Sequence, residues 1–184
     1  MPTMTSNKQP SPLKLPPHLA EAVLSGMRSP RAVTLGVGEV LYRFASSDAP
    51  EATWAAGAWW LYERDFRKIV EQYRISRERH GEDGLTLGWL GRVAAAVKQG
   101  WSRTDVLVKA SVRVELAAFA GRGRAQYKER APNGILYTYS GWPEVEQLYI
   151  PGIGDRAGLT PLGAAALHVI SQQKIESQQL FERL

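Results

Sequence analysis

The chain has 184 residues, with 23 Lys and Arg against 18 Asp and Glu, a net charge of +5 and a sequence pI near 9.6. Its length suits one domain with a real core, and its 44% hydrophobic and 22% charged residues are ordinary for a globular protein. The absence of cysteine excludes disulfides, thiolate metal sites and a cysteine nucleophile; the basic excess, concentrated between Arg64 and Arg130, favours polyanionic partners without naming one.

Residues 1–17 carry about half of the 11 prolines among Ser, Thr and Asn, which predicts a flexible, proline-rich arm. Residues 18–184 read as a single domain. The polar N-terminus lacks the apolar run of a secretory signal, and no stretch reaches the length of a membrane span. A cytoplasmic location without a membrane partner is therefore expected.

A short helix is predicted over 18–27, entered through Pro16 and Pro17. Residues 33–44 read as one or two strands broken at Gly36 and Gly38, followed by a loop at 49–54 and a short aromatic strand at 57–62. Phe66, Ile69, Val70 and Tyr73 recur at the helical period and give an amphipathic helix over 65–79 with a basic outer face. An alanine-rich helix is predicted over 87–97, and Ser102-Arg103-Thr104-Asp105 fits a capping box that starts another. Val112, Val114 and Leu116 alternate with Arg113 and Glu115, the period of a half-buried strand. Gly121-Arg122-Gly123-Arg124 reads as a turn or bulge, and 135–139 and 147–150 as further strands. Thr160-Pro161 looks like a helix start, with a C-terminal helix running towards Leu184. The fold class predicted is α+β: mostly antiparallel strands around a central helical segment, with a C-terminal helix.

Leu41-Tyr42-Arg43-Phe44 sets one arginine inside an apolar strand. Its head either reaches water along its stem or meets an anion, because an unpaired buried charge is costly. Glu144-Val145-Glu146 enters the last predicted strand with two carboxylates on one face, either as a solvated strand entrance or as a reacting pair. Together these segments resemble the arginine-serine-glutamate branch of the ADP-ribosyltransferase superfamily. That branch has an aromatic-Arg first strand and a late strand opening with Glu-x-Glu. The family's middle Ser-Thr-Ser has no counterpart here, Ser111 being the only serine on a predicted middle strand.

The resemblance implies an NAD-binding mono-ADP-ribosyltransferase or NAD glycohydrolase-like domain. In it, Arg43 would hold the NAD diphosphate. Glu146 would hydrogen-bond the nicotinamide-side ribose and stabilise the charge that develops as nicotinamide leaves, and Glu144 would orient an acceptor. Tyr42 belongs to the same cofactor-binding strand, and Trp59 or Trp60 would stack on the nicotinamide or pack beneath it.

A second reading takes 92–113 as a helix-turn-helix that binds nucleic acid through Arg92, Arg103, Lys109 and Arg113, against the plainer reading of two core helices. Arg122 and Arg124 either clamp a phosphate or decorate a basic hairpin turn. A third reading is a non-catalytic domain whose exposed aromatics and C-terminal helix dock a protein partner. His18, His80 and His168 have no metal-ligand spacing, so no metal is expected.

Overall fold

Hydrogen-bonded ladders dominate the architecture of the computed structural model, which describes residues 14–98, 100–130, 134, 136–154 and 163–177. The elements run α1 (Pro17–Gly26), β1 (Met27–Leu35), β2 (Val40–Ala45), a 3-10 helix (Glu51–Ala56), β3 (Trp59–Tyr62), α2 (Glu63–His80) and α3 (Leu87–Ala94). They continue with β4 (Val106–Val112), β5 (Leu116–Gly123), β6 (Gln126–Arg130), β7 (Leu136–Tyr139), β8 (Glu146–Tyr149) and β9 (Leu167–Lys174). Seven of the described strands form one sheet in the order β1-β5-β8-β3-β2-β4-β9, while β6 and β7 pair separately; every pairing is antiparallel. The fold is α+β.

Opposed residues of an antiparallel pair share a face. Leu148 faces both Trp60 and Ala120, and Leu41 faces Ala110, so these define one face. The 3-10 helix packs there through Trp54 and Ala55, and Val106, Val108 and Ala110 beneath are fully buried. Burying one such valine contributes about 1.5–3 kcal/mol. On the other face α2 and α3 cover Leu61 and Val145 with Ile69, Leu90 and Ala94, and α1 covers Phe119 and Tyr149 with Leu19 and Val23.

Local chemistry sets the element ends. In α2, Glu63 and Asp65 sit in the first turn and Arg77, Arg79 and His80 in the last, as the helix dipole favours, and Gly81 closes it at φ 57°. Thr86 caps α3, its hydroxyl accepting from the Trp89 amide at 3.3 Å. The expected run to residue 97 stops at Ala94. Ala96 turns left-handed at φ 54°, and the Ala96 and Val97 amides bond back to the Val93 and Arg92 carbonyls, a Schellman closure.

Four expectations are corrected. The C-terminal helix is absent at 167–174, where Leu167–Lys174 pairs along nearly all of β4 as an edge strand. Residues 160–161 and 178–184 lie outside the described residues, as does most of the proline-rich arm, at 1–13. The helix-turn-helix fails because its second helix is strand β4, central in the sheet between β2 and β9. Ser102 starts no helix: its hydroxyl accepts from the Thr104 amide at 3.1 Å, and Thr104 is left-handed at φ 53°. The 112–116 alternation also spans two strands, since β4 ends at Val112 and β5 begins at Leu116.

Candidate functional site

Glu146 opens β8 at the rim of the central sheet, and the chain before it is firmly placed. Val145 is fully buried, its amide bonds to the Trp142 carbonyl at 3.1 Å, and the Trp142 amide bonds to the Ala94 carbonyl at 3.0 Å. Gly141, at φ 72°, makes the turn where a side chain would press on the Gly123 backbone at 3.0 Å.

The Glu146 carboxylate, 27% exposed, is gripped on one oxygen. Oε2 accepts from Arg31 Nη2 at 2.6 Å and from Arg64 Nη2 at 3.2 Å, while Oε1 accepts from none of the described residues. Arg64 is itself oriented, lying 4.3 Å over the Tyr62 ring and 3.5 Å from the buried Asp65 carboxylate. Asp65 also binds Lys68 at 2.7 Å, and Lys68 reaches the Glu144 carbonyl. One buried carboxylate at the head of α2 thus ties down the whole entrance to β8. Burial, and after it the charge of Glu39, pushes the Tyr62 phenol up, against the opposing pull of Arg64 and Arg31. Glu146 lines a cleft of about 440 Å³ with Arg28, Ser29, Arg122, Gly141 and Trp142, a size suited to a small-molecule ligand. Glu144 is exposed just outside β8.

Arg43 has a different environment. On β2 it shares the face of Trp60, and its guanidinium donates to two backbone carbonyls, from Nε to Trp54 at 3.0 Å and from Nη1 to Trp59 at 2.9 Å. A side chain at Gly57 would stand 1.9 Å from the guanidinium, so the glycine there makes room for the charge. Burial pulls the Arg43 pKa down to about 10, which leaves it cationic at neutral pH. The cavity it borders measures about 40 Å³, too small for a diphosphate.

The aromatic candidates separate. Trp60 is 2% exposed in the core and donates to the Gly57 carbonyl at 2.7 Å. Trp59 points to the opposite face, edge-on to Tyr149 at 4.9 Å and beneath Gly26 of α1. Tyr42 stacks on Phe66 at 4.0 Å.

The six basic candidates also disperse. Arg92 is fully buried and donates to the Val97 and Ser102 carbonyls and to the Thr104 hydroxyl. Arg103 binds Asp105 at 3.1 Å, and Lys109 sits 5.7 Å over the Tyr42 ring. Arg113 is exposed at the far end of β4. Only Arg122 and Arg124 stay together, near the end of β5.

Of the residues singled out from sequence, the cleft brings together Glu146 and Arg122. Arg28, Arg31, Arg64 and Asp65 were missed. A signal for Arg31 exists, because it alternates with Val33 and Leu35 on the same strand as Arg28. Among the described residues no group of three or more His, Cys, Asp or Glu is placed to hold a metal, and no helix is long and apolar enough to cross a membrane.

No protein-family model matches the chain, and no curated protein does. Two solved structures are similar in part. One is Rhs1-CT in complex with its cognate immunity protein RhsI1, at 13% identity and TM-score 0.42 over 82% of this chain and 84% of that one. The other is Tse6 in complex with Tsi6, at 11% identity and TM-score 0.40 over 86% of each chain.

Proposed function

We propose that this chain binds NAD and breaks its nicotinamide–ribose bond, passing ADP-ribose to water or to another acceptor. The observation that supports it best is the Glu146 carboxylate, fixed through Oε2 by two arginines on the wall of the 440 Å³ cleft, with Oε1 left for a ligand. NAD supplies an N-glycosidic bond whose electron pair leaves with nicotinamide. Oε1 accepts from a ribose hydroxyl and lies against the positive charge that develops on the sugar. A carboxylate held in advance is effective there because it need not reorganise as the charge appears. Glu144, exposed beside the cleft, orients the acceptor and takes its proton. Arg43 keeps the strand pair and the Trp54–Trp59 carbonyls in place, at a distance from the reacting bond.

Incubation of the chain with NAD, followed by chromatographic separation, tests the reading. Nicotinamide and ADP-ribose, or an ADP-ribosylated protein with nicotinamide, are the expected products. NAD left intact both alone and with a cell extract as acceptor source would remove the proposal.

A further inference from the structure

The motif Gly121-Arg122-Gly123-Arg124, expected from sequence as a turn or bulge, instead forms the end of strand β5, with Arg124 just beyond it, where the register of the sheet fixes its neighbours. Arg28 on β1 stands directly opposite Arg122 on β5, and Arg122 stands opposite Glu146 on β8. Opposed Cα atoms in such pairs lie about 5 Å apart. The carboxylate of that row is engaged by Arg31 and Arg64, and among the described residues neither Arg28 nor Arg122 has a carboxylate within ion-pair distance. Like charges opposed across a ladder repel, and both arginines of this pair are exposed and line the cleft.

The backbone around them is shaped to keep this arrangement open. A bulge interrupts β1 between Arg28 and Arg31, and Ser29 within it takes φ 47°, a costly conformation for a residue that is not glycine. Gly121 and Gly123, buried on either side of Arg122, allow a close approach that side chains would block, at 2.9 Å from the Arg28 carbonyl and 2.7 Å from the Gln147 amide. An adjoining open depression is lined by Arg28, Ser29 and Arg124, which extends the cationic surface away from Glu146.

We propose that Arg28 and Arg122, with Arg124 beside them, form an anion subsite for the phosphates of the ligand whose sugar meets Glu146. Arginine forks bind phosphate oxygens two at a time, and a bound diphosphate relieves the repulsion between them. The subsite takes the role that Arg43, bound to two carbonyls, does not fill. Its ligand class, a nucleoside diphosphate, rests on the reading of Glu146 above.

Calorimetric titration of the full chain with inorganic pyrophosphate tests the subsite without any turnover. Wild type and Arg113→Ala should bind alike, and Arg28→Ala and Arg122→Ala should each weaken binding by about tenfold or more. Affinity should fall as salt rises. Arg28→Glu should abolish binding yet melt no lower than wild type, because on the edge strand it faces only Arg122 and turns a like-charged pair into an opposite one. Equal pyrophosphate affinity in wild type, Arg28→Ala and Arg122→Ala overturns the subsite, as does a marked fall in melting temperature for Arg28→Glu. A chain that binds pyrophosphate through these arginines but leaves NAD intact keeps the subsite and loses the glycosidic reading. A chain that releases nicotinamide with all three affinities equal does the reverse.

Discussion

Arg43 and Glu146 divide two roles that a single cleft would have joined. The arginine is a structural cation solvated by the Trp54 and Trp59 carbonyls, and Gly57 leaves it room. Replacing it with methionine keeps the stem and removes the donors, stranding two carbonyls at about 1–3 kcal/mol each. Urea denaturation of Arg43→Met should therefore show a lower midpoint. Gly57→Ala should also destabilise, by about 1–3 kcal/mol, because a methyl group cannot share space with the guanidinium. A midpoint unchanged in both variants would mean that the guanidinium does not sit where these contacts place it. Glu146 was visible in the sequence as half of a Glu-x-Glu pair, but its partners were not. Arg31 and Arg64 are 115 and 82 residues away and reach it across strands whose neighbours only the sheet order reveals.

At the scale of elements, short-range periodicity was readable and long-range pairing was not. The apolar spacing of Phe66, Ile69 and Tyr73 marked α2, and Gly36 and Gly38 marked the break between β1 and β2. Residues 167–174 contain no glycine or proline and suit a helix locally. They became β9 because β4 would otherwise present an unpaired edge, and Val169 and Ile170 are β-branched. Likewise Ser102-Arg103-Thr104-Asp105 looks like a cap until Asp105 is seen turning to Ser47, whose hydroxyl donates at 2.6 Å and whose amide donates at 2.8 Å.

That contact fastens the start of β4 to the loop after β2, and it depends on pH. Burial pushes the Asp105 carboxyl up, but the Ser47 hydroxyl and amide, with Arg103, outweigh it and hold the group below its usual range. A folded pKa depressed below the unfolded one stabilises fully above the ordinary aspartate value of about 3.9 and is lost as pH falls through the lower, folded value. Asp105→Asn should therefore be less stable than wild type at pH 7, with the difference shrinking as the pH is taken below about 4. Thermal melts of both proteins across pH 2–7 would show it, and a difference independent of pH would contradict the assignment.

At the scale of the whole molecule, the sheet carries helices on both faces, with the cleft at one rim. The 3-10 helix and the three α-helices pack on the two faces, and Arg28, Arg122 and Glu146 line an accessible cleft where β1, β5 and β8 meet. The net charge of +5 has its sharpest local expression there, with Arg28, Arg31, Arg64, Arg122 and Arg124 around one carboxylate. Such a field draws anionic ligands in and weakens with salt. Steady-state nicotinamide release by wild type, Glu146→Gln and Glu144→Gln measures the proposed role of that carboxylate most directly. Glu146→Gln should lose about 10²–10³-fold in kcat with the KM for NAD and the melting temperature nearly unchanged, and Glu144→Gln should lose far less. A Glu146→Gln protein that turns over NAD at the wild-type rate, or a wild type that releases none, would contradict the account.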